Sequence, residues 1–417
     1  MSTVHVIGAG LAGLSAAVRL TESGRTVHVY EAAPRAGGRC RSYFEPRLDR
    51  TIDNGGHVIL GANEATLAYV ETIGAREELT EIAPARIPFI DLATGDRWSI
   101  RPNGGPIPWW PLAPSRRVPG TGLTDYAALI RLLTAGTDDA VTDRVAPTSV
   151  LYRRLLDPLA TAIMNTPPAE AAAWPLAKVL RSTLLRGERA CRPIFARHGL
   201  SRALIDPALA WLERHGTRFR ANARVDRLEF AGDGITGIRI DGEAIDVGRD
   251  AIVLATPSWT AAELVPDLPH PADHSAIVNA HFRLPQPPDL ELPLLGIIGG
   301  TAQWLILRED VVSVTVSAAD SLVDEDQDRL LDRLWRDTAK GLGLTGPRPP
   351  GRLIKEKRAT FRQTPAAERR RPPTGTAWRN LFLAGDWTAT GLPATIEGAI
   401  LSGQHAAVAA AAGGLAL

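Results

Sequence analysis

At 417 residues the chain is long enough for two or three domains and a substantial core. Hydrophobic residues make up 45% and charged residues 22%, which excludes disordered, collagenous and fibrous classes. A formal net charge of +1 argues against nucleic acid, whose recognition usually needs a strongly basic face.

Two cysteines, Cys40 and Cys191, are too few for a disulfide framework and lack metal-ligand spacing. They read as reduced structural thiols in a cytoplasmic protein, with no metal expected. No charged and apolar leader precedes the first strand signal. The least charged stretches, 292–307 and 399–417, are broken by Pro and Gly or diluted by small and polar residues, so neither reads as a membrane span.

Residues 4–7 form a strand pattern, and Gly8-Ala9-Gly10-Leu11-Ala12-Gly13 then turns into a helix with Leu14, Ala17 and Leu20 at helical spacing. Residues 27–30 give a second strand that ends at Glu31. This is a βαβ unit carrying a dinucleotide fingerprint. Gly8 permits the tight turn, Gly10 lets the backbone approach a pyrophosphate, and Gly13 lets the helix pack on the strand. The helix N-terminus then favours phosphate charge, and Glu31 can accept hydrogen bonds from a ribose.

Residues 84–124, rich in Pro, Trp and Gly, read as irregular or edge structure. In 125–133 the spacing of Tyr126, Leu129, Ile130 and Leu133 predicts an amphipathic helix. Residues 148–185 read as helical, interrupted at Asn165-Thr166-Pro167-Pro168. Strand signals return at 218–230, 237–240 and 251–254, and 277–319 mixes strand runs with glycines before a charged helix around 320–342. Arg369-Arg370-Arg371-Pro372-Pro373 reads as a solvated loop. Residues 381–384 form a buried strand ending in Gly385-Asp386, and a helix is expected over 395–412.

Glu31-Ala32, Gly37-Gly38-Arg39 with Ser42, and the late Gly385-Asp386 resemble the flavin amine oxidase and phytoene desaturase superfamily. The resemblance implies an α/β fold: a Rossmann-like FAD-binding domain with a discontinuous α+β substrate domain, as in amine oxidases. The FAD-binding parts would be 1–83, 196–265 and 375–417, and the substrate domain 84–195 and 266–374. FAD is the implied cofactor. Gly8, Gly10, Leu11, Ala12 and Gly13 would meet its phosphates, with Glu31 and Ala32 at the ribose. Gly38 and Arg39 would lie along the phosphates and ribityl chain, Asp386 with Gly385 at the ribityl–phosphate region, and the Val225 backbone at adenine. Gly56, His57 and the backbone of Ala394, Thr395 and Ile396 would face the flavin.

Four further segments point to one branch. Asp53-Asn54-Gly55-Gly56-His57, Asn165-Thr166-Pro167-Pro168, Gly300-Thr301-Ala302-Gln303-Trp304 and residues 383–403 are similar to those of the hydroxysqualene dehydroxylases. These are the squalene-associated FAD-dependent enzymes of bacterial hopanoid synthesis. Gly56 departs from the pattern, standing where that branch has a bulkier polar residue. The resemblance implies that hydroxysqualene loses its allylic hydroxyl and gains a hydride, giving squalene. Ionising the allylic C–O bond gives a delocalised cation to which reduced flavin can deliver hydride. The protein must then assist the departing oxygen, exclude water and hold the carbon over the flavin. An electron donor, unidentified from the sequence, is also implied. Oxidation on the same fold, by a polyene desaturase or an amine oxidase, is the rival reading.

His57 is the first candidate acid and Glu397 the second, with Asp53 a further choice that reads more readily as a turn cap. Glu397 also reads as a plain acid at a helix N-terminus. Trp109, Trp110, Trp304 and Trp387 could hold a cation against an aromatic face, although core packing is the ordinary role. Gln303 could bond the substrate oxygen. A thirty-carbon apolar substrate lives in membranes, so residues 125–133 and the alanine-rich tail are candidates for peripheral contact at the inner face of the cytoplasmic membrane.

Overall fold

The computed structural model describes residues 3–105, 107–288 and 290–413. The expectations that involve Pro106 and the extreme ends of the chain, including 414–417, lie outside the described residues.

Five short strands form a parallel sheet in the spatial order Arg218–Arg220, Thr26–Tyr30, Thr3–Ile7, Ala251–Leu254, Leu381–Leu383. Runs such as Ala-Ile-Val-Leu are apolar on both faces because both faces are covered. One face packs against the helices Leu11–Glu22, Asp206–Arg214 and Ile396–Ala411. The other meets an antiparallel meander, Val225–Ala231, Gly234–Ile240 and Glu243–Asp246. The run 218–230, a single strand signal in the sequence, is two strands in two sheets. Asn222, at φ +51°, turns the chain between them, a conformation Asn tolerates better than most residues.

The alanine-rich last helix, a candidate for bilayer contact, is instead core. Ile400, Ala406, Ala407 and Ala410 are buried against the first helix. A Cβ on Gly403 would run into the carbonyl oxygen of Ala12, so the two helices meet at backbone distance. No helix among the described residues is long and apolar enough to cross a membrane.

A second, mixed sheet has seven strands in the order Gly351–Phe361, His274–Arg283, Val311–Val316, Trp304–Arg308, Leu294–Ile298, Ile87–Asp91, Arg97–Ile100. The last two form a hairpin inside the stretch expected to be irregular or edge structure, and Arg97–Ile100 is an edge strand of this sheet. The long-range parallel pairing of Ile87–Asp91 with Leu294–Ile298 supplies what local composition does not display. Alternation gives this sheet two different faces. Val278, Ala280, Phe282, Val312 and Val314 pack on the amphipathic helix Gln327–Leu342, whose N-cap Asp326 accepts a hydrogen bond from the Arg329 amide at 3.0 Å. Asn279, His281, Ser313, Thr315, Trp304 and Ile306 occupy the opposite face, over the 42–57 segment.

We propose that the two large sheets mark the two domains. Pro193–Ala196 pairs with Ile59–Leu60 and Leu79–Glu81, which moves the return to the first domain to about residue 193. The basic stretch 369–373 differs from its expected form. Arg371 is buried and ion-paired with buried Glu368 at 2.9 Å, so of the three arginines Arg369 and Arg370 alone are solvated.

Candidate functional site

The glycine turn is shaped by close backbone approach. Gly8 has φ +102°, and a Cβ there would lie 2.7 Å from the Ala255 carbonyl oxygen. Gly10 caps the first helix, and a Cβ on it would meet nothing within 4 Å. Gly37 bonds its amide to the Ala9 carbonyl at 2.8 Å, which brings Gly38 beside Gly10. A Cβ on Gly38 would meet only the Gly10 Cα, at 3.5 Å. Two walls bare of side chains therefore flank a helix start that has no acidic residue in its first turn. The first-turn positions Leu11, Ala12 and Gly13 give this end a partial positive charge suited to phosphate.

Glu31 Oε2 accepts from the Ala9 amide at 2.7 Å, and Oε1 from the Ala33 amide at 2.8 Å. Acceptor capacity remains for a ribose, with Ala32 exposed beside it. The Ala223 amide bonds the Glu31 carbonyl at 2.8 Å, which carries the chain into buried Val225 next to this end.

Arg39 donates to Asp386 Oδ1 at 2.8 Å and to the Ala359 carbonyl at 2.5 Å. Arg39 and His57 both keep accessible surface. Bare glycine walls, an open helix N-terminus, an acid at the strand end and a partly exposed arginine beside the second glycine motif fit FAD.

Arg371, which the sequence did not mark as functional, shapes the loop after Asp386. Its guanidinium donates to the carbonyls of Asp386 at 3.1 Å, Thr388 at 2.9 Å and Leu392 at 2.7 Å. Gln363 is a second residue without a sequence signal. Its Oε1 accepts from the Ala394 amide at 2.8 Å, and its backbone N–H donates to Thr166 Oγ1 at 3.0 Å. Ala394 is therefore not an amide available to the flavin, which leaves those of Thr395 and Ile396 at the start of the last helix. Asn165 and Thr166 serve as a buried junction. Asn165 bonds the Ser275 carbonyl at 3.2 Å and accepts from the Ala318 amide at 2.7 Å.

Several candidate residues have other tasks. Glu397 accepts from the amides of Ala65 at 2.9 Å and Thr66 at 2.8 Å, and from Thr66 Oγ1 at 2.6 Å. It caps the helix Glu64–Thr72, so we assign it no proton transfer. Asp53 accepts from Ser42 Oγ at 2.5 Å, from the Leu200 amide at 2.9 Å and from Arg308, a structural hub. Gln303 spends its amide on the Ser317 backbone, at 3.1 and 2.8 Å, and is no substrate anchor. Trp110 is buried edge-on against Tyr126, Trp387 is buried and bonds the Thr256 carbonyl at 3.0 Å, and Trp109 lies on the surface under Arg116.

His57 Nδ1 lies 2.9 Å from the Gly55 carbonyl oxygen. An oxygen without a hydrogen can only accept, so the ring proton is on Nδ1 and Nε2 is an acceptor. Burial holds the His57 pKa below the ordinary histidine value, which further disfavours the charged form that an acid requires. Across from this segment are Thr315, Asn279 and Trp304. Thr315 donates to Asn279 Oδ1 at 2.9 Å, and the Trp304 indole N–H is buried without a partner among the described residues. The space that a side chain at 56 would fill is taken by Thr315 and Ile306, because a Cβ on Gly56 would come within 2.7 Å of Thr315 Oγ1 and 3.2 Å of Ile306 Cδ1.

Residues 11–411 match the family model of the flavin containing amine oxidoreductases. The chain is 44% identical to a hydroxysqualene dehydroxylase of Sinorhizobium fredii over 405 residues, 97% of each chain. It is equally similar, 44% over 407 residues and 97% of each chain, to that of Rhodopseudomonas palustris. Among solved structures, the cyclohexylamine oxidase of Brevibacterium oxydans superposes with a TM-score of 0.69 at 18% identity, covering 99% of each chain, which is a likeness of fold.

Proposed function

This chain belongs to the hydroxysqualene dehydroxylases within the flavin containing amine oxidoreductases, and from that premise we propose that it reduces hydroxysqualene to squalene. The protein is an FAD-dependent oxidoreductase. Its identity with two dehydroxylases over 97% of each chain carries the proposal. In the overall reaction the allylic alcohol takes up a hydride and a proton and gives squalene and water. FAD, reduced by a separate electron donor, supplies the hydride.

The chain's own residues would do the remaining work. The face bearing Trp304, Thr315 and Asn279 supplies neutral hydrogen-bonding groups beside aromatic surface. Carboxylates that could trap a cation in the adjoining segments, Asp53 and Glu397, are held in hydrogen bonds. We assign His57 Nε2 as an acceptor that orients the hydroxyl before it leaves. A rigid sheet on one side and the Gly55–His57 turn on the other exclude water that would recapture the cation. The substrate's apolar chain would be taken from a membrane surface at which the enzyme docks peripherally.

Product analysis tests this reading. The reduced holoenzyme with hydroxysqualene should yield squalene by mass, whereas the oxidised holoenzyme should not be bleached by the same substrate. Bleaching of the oxidised flavin by a polyene or an amine, with no squalene from the reduced form, would replace the proposal with an oxidase or desaturase.

A further inference from the structure

Five of the eight large apolar side chains that stand exposed among the described residues fall between positions 107 and 130. They are Ile107 at 76% exposure, Leu112 at 63%, Ile130 at 65%, and also Trp109 and Leu123. Their neighbours are firmly packed. Trp110 meets Tyr126 edge-on at 5.4 Å, which joins the turn Trp110–Leu112 to the turn Leu123–Tyr126. The exposed residues of the two turns thus share one stretch of surface. Leu123, Ala127 and Ile130 continue it along the outward side of the helix Ala127–Leu133, while Ala128 and Leu132 face the core. Ile130, expected on the buried face of this helix, points outward.

Charge identifies what covers this surface. Between 101 and 134 there are four arginines, Arg101, Arg116, Arg117 and Arg131, and one acid, Asp125. The Asp125 carboxylate is bonded to the Gly122 amide at 2.7 Å. Arg116 lies over the Trp109 ring at 4.9 Å. Apolar side chains rimmed by cations, with a tryptophan among them, match the boundary between anionic headgroups and acyl chains. We propose that residues 107–131 dock on a bilayer bearing anionic lipids, with Trp109, Leu112, Leu123 and Ile130 in the acyl boundary and the arginines among the headgroups. Trp110, Tyr126 and Leu132 beneath this surface share their apolar core with Trp304, so a lipid-dissolved substrate would enter beneath the docked surface. That use of the surface rests on the proposed reaction; the docking does not.

Co-sedimentation of the holoenzyme with vesicles tests the docking. Vesicles of phosphatidylglycerol and phosphatidylcholine should carry the protein down, and pure phosphatidylcholine should do so at least about tenfold more weakly. The double variant Leu112→Glu/Ile130→Glu, with unchanged flavin spectrum and melting temperature, should bind anionic vesicles at least about tenfold more weakly. Arg131→Glu should weaken binding in the same direction, as should salt at about 0.5 M. Equal binding by wild type and double variant, or no binding by wild type, overturns the proposal. So does a wild-type dimer that the double variant abolishes without any vesicle binding. Turnover of substrate in detergent micelles should be the same in wild type and double variant. Its absence in both would count against the reaction and leave the docking result standing.

Discussion

Arg39 and Asp386, 347 positions apart, meet in an ion pair of 2.8 Å that ties the second glycine motif to the end of the last parallel strand. The Arg39 side chain is 37% exposed, which leaves surface for a dinucleotide phosphate to reach. Arg39→Met should weaken FAD binding by about tenfold or more, read by flavin fluorescence titration of the apoprotein. Asp386→Asn should move affinity in the same direction. Unchanged affinity in both would remove this pair from the cofactor site.

Arg371 holds three carbonyls of the loop between Asp386 and Leu392 and is paired with Glu368, and both side chains are almost wholly buried. Removing one partner of a buried pair typically costs about 3–5 kcal/mol. Arg371→Met should therefore lower the unfolding free energy by about that much and release FAD on gel filtration. Burial raises the Glu368 pKa while Arg371 opposes the shift. A stable, fully flavinated Arg371→Met protein would show that the loop holds itself.

The contrast between these two pairs shows what the sequence could display. Gly37-Gly38-Arg39 and Gly385-Asp386 are local patterns, readable through their resemblance to the flavoenzyme superfamily. The β-α-β unit of 4–30 was legible from its own periodicity and glycine spacing, because backbone approach to a phosphate demands those residue types. Arg371 lay within a run of three arginines and two prolines, where its burial depends on Glu368 and on carbonyls more than ten residues away. The hairpin Ile87–Asp91/Arg97–Ile100 was hidden likewise, because its pairing partner is some two hundred residues distant. Glu397 and Asp53 show the converse limit. Both stand in motif-bearing segments, but their partners, Thr66 and Leu200, are visible only in three dimensions.

His281 is fully buried with Nδ1 2.8 Å from Ser313 Oγ, and burial lowers its pKa to about 4. Asp53 raises that value and Arg308 lowers it further. The unfolded chain, with a histidine near about 6.5, binds the proton first. Stability is therefore complete above that pH and is lost as the pH falls toward 4. Between about pH 6.5 and pH 5 the loss should be roughly 2 kcal/mol from this residue. Urea unfolding across that range should show the slope, and His281→Gln should flatten it. An unchanged slope in the variant would assign the acid sensitivity elsewhere.

His57 and Trp304 should separate in kinetics. His57→Asn removes the ring acceptor assigned to the substrate hydroxyl, so turnover should fall about tenfold with the flavin still bound. Trp304→Phe keeps the aromatic face and removes only an N–H that is buried, so its turnover should stay close to wild type. Steady-state rates with both variants fully flavinated decide the assignment. Wild-type turnover in His57→Asn would remove the acceptor role from this histidine.

The most direct test of the central claim is an anaerobic single turnover. The holoenzyme is reduced with dithionite, freed of excess reductant and mixed with hydroxysqualene, while flavin absorbance and product mass are followed together. The flavin should reoxidise in step with squalene formation, one molecule for each flavin. A flavin that stays reduced in the presence of the alcohol would contradict it.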